Sequence, residues 1–367
     1  MGLDDEVERE YGGRFLSDYT KKSLLGKGAC GAVWLATSQR HDGPVAVKQV
    51  AKGSTQKHNA DIRSAAKEIR VGELLFGPGG VPRLSPNLYP GIRHITRLLD
   101  FAETKRDLWM VQEYGGAVLS KALFEVKGEF ASRGLGQPRE RVYRVHHLPF
   151  YQKMKRDPRL LKRIIRQMLE AIRALSDHAI VHSDLKPENL LLDGAEAGRE
   201  MACEVRLCDF GSAFIHDQPE ALTLATPEYM PPEALETYIQ HTQCQPGQPP
   251  RPTEPWSFDI WSLGAIVLEL CYGVPHYLSY KCRVAGLDGK DRTMTGILAV
   301  QGRDHDKIRQ RQEELVMDGG LHRVLQDAPG VPLSAAGQDL LQKMLAWDPR
   351  ARISPTEALA HPYLAFD

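Results

Sequence analysis

The chain has no surplus of charge of either sign: 47 lysines and arginines stand against 47 aspartates and glutamates in 367 residues. A protein built to neutralise nucleic-acid phosphates carries a basic excess, so that class is disfavoured, although a balanced total still permits a local cationic pocket. Cysteine is scarce. Its six positions, 30, 203, 208, 244, 271 and 282, are too few for a secreted disulfide framework in so long a chain. No Cys-x-x-Cys or Cys/His spacing marks a zinc site either, and reduced buried thiols are the plain reading. Long hydrophobic runs are also missing. The most apolar stretch, Ile260 to Leu278, is broken by Glu269, Gly273 and Pro275 and reads as a buried core helix, not an integral membrane segment. The opening MGLDDEVERE is acidic and has no apolar core, unlike a signal or transit peptide. Gly2 invites myristoylation, but Glu6 occupies the position that wants Ser or Thr. The expectation is a soluble, intracellular protein.

What is present is ordinary globular composition, 42% hydrophobic and 26% charged, at a length that suits two domains or two joined lobes. Residues 19–36 alternate and carry glycines, 44–50 form a β-rich run, and 95–101 and 107–113 are strand-like. Residues 61–75 fit a helix with Ile62, Ala65, Ala66, Ile69 and Leu74 along one side. After Gly116 the pattern turns helical. Residues 159–176 set Leu160, Ile164, Met168, Ile172 and Leu175 on one stripe, with arginines opposite. Further helices are expected at 259–272, 334–346 and 355–361. Two segments read as insertions: 125–158, without clear periodicity, and 237–256, rich in Pro and Gln and expected to be an exposed loop.

Gly26, Gly28 and Gly31 stand where a backbone must approach phosphate closely. Alone they are a weak signal. A dinucleotide fold needs a helix after the glycines, whereas Ala32 to Thr37 is strand-like, and no Gly-Lys-Ser/Thr closes a P-loop. A β-hairpin folded over a nucleotide fits better. Lys48, in Val45-Ala46-Val47-Lys48, is either an edge residue snorkelling to water or an ammonium on nucleotide phosphates, and Glu68 on the next helix can fix it. The decisive cluster is His182-Ser183-Asp184-Leu185-Lys186-Pro187-Glu188-Asn189, followed by Cys208-Asp209-Phe210-Gly211. Asp184 can orient a hydroxyl and take its proton, while Lys186 neutralises a transferring phosphoryl group. Asn189 and Asp209 offer the hard oxygen ligands that Mg²⁺ prefers.

These parts together resemble a eukaryotic protein kinase over nearly the whole chain. The resemblance implies an α+β bilobal fold with a small β-rich N-lobe and a larger, mainly helical C-lobe, and ATP between them. It implies an N-terminal extension at 1–18, an N-lobe at 19–114 and a C-lobe at 115–367. By the same analogy Gln112 is the gatekeeper, Glu113 and Gly115 offer backbone bonds to adenine, and Val33, Ala46 and Leu191 sandwich its ring. Thr226 to Glu233 resembles the substrate-docking segment, with Pro231 where alanine is usual. Asp259 is expected to hold the catalytic loop, and Arg352 to pair with Glu233. Lys186 with Thr226 resembles the serine/threonine type, which implies a protein substrate with a Ser/Thr acceptor.

Three features depart from the family pattern. Ser183 replaces an arginine that usually meets a phosphate on the activation segment, which implies activity without that phosphate. The competing implication is a pseudokinase-type nucleotide-binding scaffold. Cys30 and Cys208 put two thiols near the nucleotide, where redox control stands against simple small-residue packing. Finally, Val145 to Pro149, Phe258 to Ile260, Glu314 to Leu321 and Arg352 to Tyr363 resemble the chloroplast state-transition kinases. That resemblance implies light-harvesting proteins as substrates and a stromal location, although the membrane segment and cysteine pair of that group have no counterpart here.

Overall fold

The computed structural model describes residues 17–28, 31–131, 140–193, 203–218, 226–243, 253–275, 277, 282–285, 291–294, 305–317, 319–326 and 328–365. The first lobe is an antiparallel sheet of β1 (Tyr19–Gly28), β2 (Gly31–Ser38), β3 (Pro44–Ala51), β4 (Leu98–Glu103) and β5 (Asp107–Glu113), in the order β1-β2-β3-β5-β4. Alternation along β3 buries Val45 and Val47 against one set of neighbours and Val50 against another. Lys48, two residues from Val50, therefore lies on the Val50 face. That face meets helix α1 (Gln56–Leu75), capped by Thr55, whose hydroxyl accepts the His58 N–H at 3.2 Å. The helix buries Ala65, Glu68, Ile69 and Gly72 along one stripe. A Cβ at Gly72 would stand 2.7 Å from Leu98, so helix and strand approach too closely there for any larger residue.

The second lobe is mainly helical. Short strands β6 (Ala117–Val118), β9 (Ile180–Val181), β10 (Leu190–Asp193), β11 (Glu204–Leu207) and β12 (Phe214–Ile215) frame its upper edge, as the ladders β11-β10-β6 and β12-β9. Helices α2 (Ser120–Leu123), α3 (Pro149–Arg156), α4 (Arg159–Ser176), α5 (Pro232–Gln243), α6 (Ser257–Tyr272), α7 (His305–Val316), α8 (Gly320–Gln326), α9 (Ala335–Met344), α10 (Pro355–Leu359) and α11 (Pro362–Ala365) build the body. Its core runs from Leu160 and Ile164 of α4 to Trp261 and Leu268 of α6. Helix α6 is buried from Ser257 to Cys271, as its nearly continuous apolar run requires. It carries two deep carboxylates, Asp259 and Glu269, and Glu269 accepts a 2.6 Å bond from the Tyr229 hydroxyl. No helix among the described residues is long and apolar enough to cross a membrane.

Both segments read as insertions carry more regular structure than the sequence reading supplied. Within 125–158 lie a hairpin of β7 (Phe124–Ala131) and β8 (Glu140–His147), and then α3. The hairpin joins β13 (Cys282–Ala285) and β14 (Asp291–Met294) in a sheet ordered β14-β13-β8-β7. One face of it pairs Phe124 with His147 and Val126 with Val145, while Glu125 pairs with His146 on the other, a short period-two pattern that the sequence reading missed. The expected loop at 237–256 is instead helical through Gln243, because no proline or glycine interrupts α5 before Pro246. Residues 244–252 lie outside the described ones.

Candidate active site

The glycine-bearing hairpin is closed by the pairing of Gly28 with Gly31 and of Gly26 with Val33. Gly31 has φ 123°, and a Cβ there would run into the Gln49 carbonyl oxygen, so only glycine fits. Gly26 has open space around it, and Cys30 at the tip lies outside the described residues. Register sets Val33 opposite Lys48 and Ala46 opposite Gln112. At the other wall, a Cβ on Gly115 would be 2.8 Å from Leu191, which places the segment after β5 directly against β10. The Glu113 side chain points away, to Arg97 Nε at 2.8 Å and Arg206 Nε at 3.6 Å.

Lys48 Nζ donates to Glu68 Oε2 at 2.5 Å and stands 3.8 Å from Asp209 Oδ1. That ammonium is the main reason the Asp209 carboxyl titrates below the usual range, against the opposing effect of burial. Asp209 itself sits at φ 65°, a left-handed conformation that carries strain for a non-glycine residue. Pairing of Leu190 with Leu207 brings Asn189 level with Cys208, one residue from Asp209. Asn189 and Asp209 thus supply a carboxylate and an amide oxygen at one end of the same ladder. This all-oxygen pair suits Mg²⁺, which takes one or two protein ligands and completes its shell with phosphate and water.

Asp184 is held on every side. Its Oδ1 accepts the Thr226 N–H and hydroxyl, each at 2.9 Å, and its Oδ2 accepts Lys186 Nζ at 2.6 Å. The Asn189 amide donates to the Asp184 backbone carbonyl at 2.8 Å, and Lys186 reaches the Thr226 hydroxyl at 2.8 Å. Beneath the loop, Asp259, 1% exposed, accepts the N–H groups of His182 at 2.8 Å and Ser183 at 2.9 Å. Burial pushes the Asp259 pKa up, and these two donors together with the nearby His182 oppose it. His182 Nε2 donates to the Cys208 carbonyl at 3.1 Å, and its ring stands edge-on to Phe210 at 4.9 Å.

One comparison decides what these parts belong to. The family model described as the protein kinase domain matches residues 19–364. The chain belongs to the protein kinase family. It is a serine/threonine protein kinase in class. The kinase is 27% identical over 359 residues to mitogen-activated protein kinase HOG1A of Wallemia ichthyophaga, covering 95% of this chain and 77% of that protein. It is 30% identical over 380 residues to mitogen-activated protein kinase 15 of Rattus norvegicus, covering 98% of this chain and 55% of that one. These relatives carry the names of mitogen-activated kinases, and neither is a state-transition kinase.

The remaining kinase parts fall into place around the cleft. Arg352 grips Glu233 with two bonds, 2.6 and 2.7 Å, beneath the segment that begins at Thr226. Its guanidinium also donates to the carbonyls of Ala346 and Ser257 and lies 5.0 Å from the Trp261 ring. Cys208 is half-buried, with its thiol 3.4 Å from the Asn189 carbonyl. Burial raises the pKa of that thiol far above its ordinary value, which favours the packing role over a reactive thiolate.

Two contacts have no counterpart in the sequence reading. Gln112 Nε2 donates to Glu68 Oε1 at 2.9 Å, and the Ser183 hydroxyl donates to the Ser212 carbonyl at 2.8 Å. The first had a visible signal, a lone amide at the end of the apolar stripe Leu108, Met110. The second joins residues far apart in the chain and left none.

Proposed function

We propose that the cleft binds Mg²⁺ and ATP and transfers the γ-phosphoryl group to a serine or threonine hydroxyl of a protein. The observation that carries this reading is the Asp184 network, in which one carboxylate is fixed by Thr226, Lys186 and Asn189. Asp184 orients the acceptor hydroxyl and takes its proton as the oxygen bonds to the γ-phosphorus and ADP leaves. Lys186 offsets charge on the moving group. Lys48, held by Glu68, binds the α- and β-phosphates, and Gly26, Gly28 and Gly31 let the hairpin backbone close over them. Val33, Ala46 and Leu191 enclose adenine, while the Glu113 carbonyl and Gly115 N–H bond its edge. Asn189 and Asp209 hold Mg²⁺, which neutralises phosphate oxygens when bound. The lobe boundary falls at Tyr114 and Gly115, with 19–114 above it and the rest below.

The same reading includes activity without a phosphate on the activation segment. What supports it is Ser183. Where an arginine would wait for a phosphate, the Ser183 hydroxyl bonds Ser212 directly, just past Asp209-Phe210-Gly211. His182 takes the carbonyl just before that tripeptide. The catalytic loop thus grips the metal-binding turn at both ends, and Asp259 anchors the grip.

Phosphatase-treated protein is expected to phosphorylate Ser or Thr at full rate with Mg²⁺ and to stop when EDTA is added. Ser183→Ala is expected to lower kcat roughly 2- to 10-fold, the size of one neutral hydrogen bond. Activity that appears only after phosphorylation of the activation segment would overturn this part. Nucleotide binding with no transfer would return the scaffold reading.

A finer proposal, that the acceptor is a light-harvesting protein at the stromal thylakoid face, rests on the segments near 145, 258, 314 and 352 alone. Kinase added to isolated thylakoids should label light-harvesting bands; label spread evenly over membrane proteins would remove it.

A further inference from the structure

Strand β5 turns Leu108 and Met110 toward α1, where they pack with Val50, Ala65 and Ile69. By strand alternation Gln112 continues that stripe, and it is the polar member of it. An amide on such a face needs a reason. Its neighbour is the Glu68 carboxylate, on a residue 3% exposed. Lys48 satisfies one oxygen, Oε2, at 2.5 Å, and Gln112 Nε2 satisfies the other, Oε1, at 2.9 Å. Because a carboxylate only accepts, the amide must present its NH₂ group here.

The Lys48 ammonium has a second carboxylate within reach, Asp209 Oδ1 at 3.8 Å. Which of the two it favours depends on how firmly Glu68 is held. With Gln112 bonded, Glu68 is fixed from both sides, α1 is tied to β5 as well as to β3, and Lys48 is kept from collapsing onto Asp209. Without that bond, Oε1 is a buried charged acceptor left unsatisfied, which favours withdrawal of Glu68.

We infer that Gln112 is a positioning residue, whose side-chain amide holds Glu68 in the orientation that presents Lys48 to nucleotide phosphates. This rests on the kinase reading of the cleft but goes beyond it, since a gatekeeper by analogy only borders the adenine pocket. The titratable groups facing the Glu68 carboxylate are Lys48 from β3 and, from the loop after β11, Asp209 and the Cys208 thiol. On β5, Glu113 is turned away to Arg97.

The test is an ATP titration of the full chain and two near-isosteric variants, at a series of pH values. Gln112→Met is expected to lower kcat/KM for ATP about 10- to 100-fold, the range for a hydrogen bond to a charged group, with KM for the protein substrate unchanged. Gln112→Glu is expected to match that loss at neutral pH, where two carboxylates oppose each other. Its rate relative to wild type should then recover as the pH falls, because a proton shared by the pair restores the missing donor. That recovery also shows the variant to be folded. A Gln112→Met enzyme within twofold of wild type, or a Gln112→Glu ratio that does not change with pH, would overturn the inference. If wild type binds ATP and transfers nothing, the kinase reading fails on its own, and ATP affinity by titration calorimetry makes the same comparison among the three proteins.

Discussion

Replacing Asp184 with asparagine is expected to lower kcat by about 10²- to 10⁴-fold, the usual contribution of a positioned acid or base, with KM for ATP nearly unchanged. The substitution keeps the shape of the side chain. It removes the charge that Lys186 and the Thr226 hydroxyl both address, and an amide nitrogen cannot accept their bonds. Since Asp184 is placed beside the acceptor hydroxyl and not on the nucleotide, the loss belongs in turnover. Steady-state kinetics with ATP and a generic protein acceptor read the split. A fall of less than tenfold in kcat, or a loss carried by KM for ATP, would remove Asp184 from the role assigned to it.

The largest expected effect on stability lies at Arg352. Its side chain is fully buried, against 20% exposure for Glu233, and it holds both oxygens of that carboxylate in a fork. Breaking a buried pair by deleting one partner costs about 3–5 kcal/mol, because the remaining charge keeps its desolvation penalty without its counterion. Arg352→Ala also removes the donors to Ala346 and Ser257 and the contact with Trp261. Urea unfolding should therefore show a loss in that range. Arg352→Lys should recover only part of it, since one ammonium cannot reproduce a planar fork and two carbonyl contacts. A midpoint unchanged in Arg352→Ala would contradict the place given to this pair beneath the docking segment.

Much of this was readable before any coordinates because the chemistry sits in short contiguous runs. Asp184, Lys186 and Asn189 share one loop, and strand pairing carries Asp209 to its side. Helices α4 and α6 were equally plain, the one from its apolar stripe and the other from its nearly continuous hydrophobicity. The β7–β8 hairpin was not, because its period-two pattern is short and its apolar face only partly buried, with Val145 in the core and its partner Val126 exposed. The reach of α5 to Gln243 was obscured by the Pro- and Gln-rich residues that follow it. Ser183 with Ser212 and Gln112 with Glu68 are tertiary hydrogen bonds between polar side chains and distant elements. Their residue types are visible in sequence, but their partners are set only by how the lobes fold.

The central claim is phosphoryl transfer from this cleft, and a single-turnover assay with radiolabelled ATP and Mg²⁺ tests it most directly. The wild-type chain should place label on serine or threonine of a generic protein acceptor, and Lys48→Met, which loses the ammonium held by Glu68, should place almost none. Nucleotide bound without label on any protein, or label undiminished in Lys48→Met, would contradict the account.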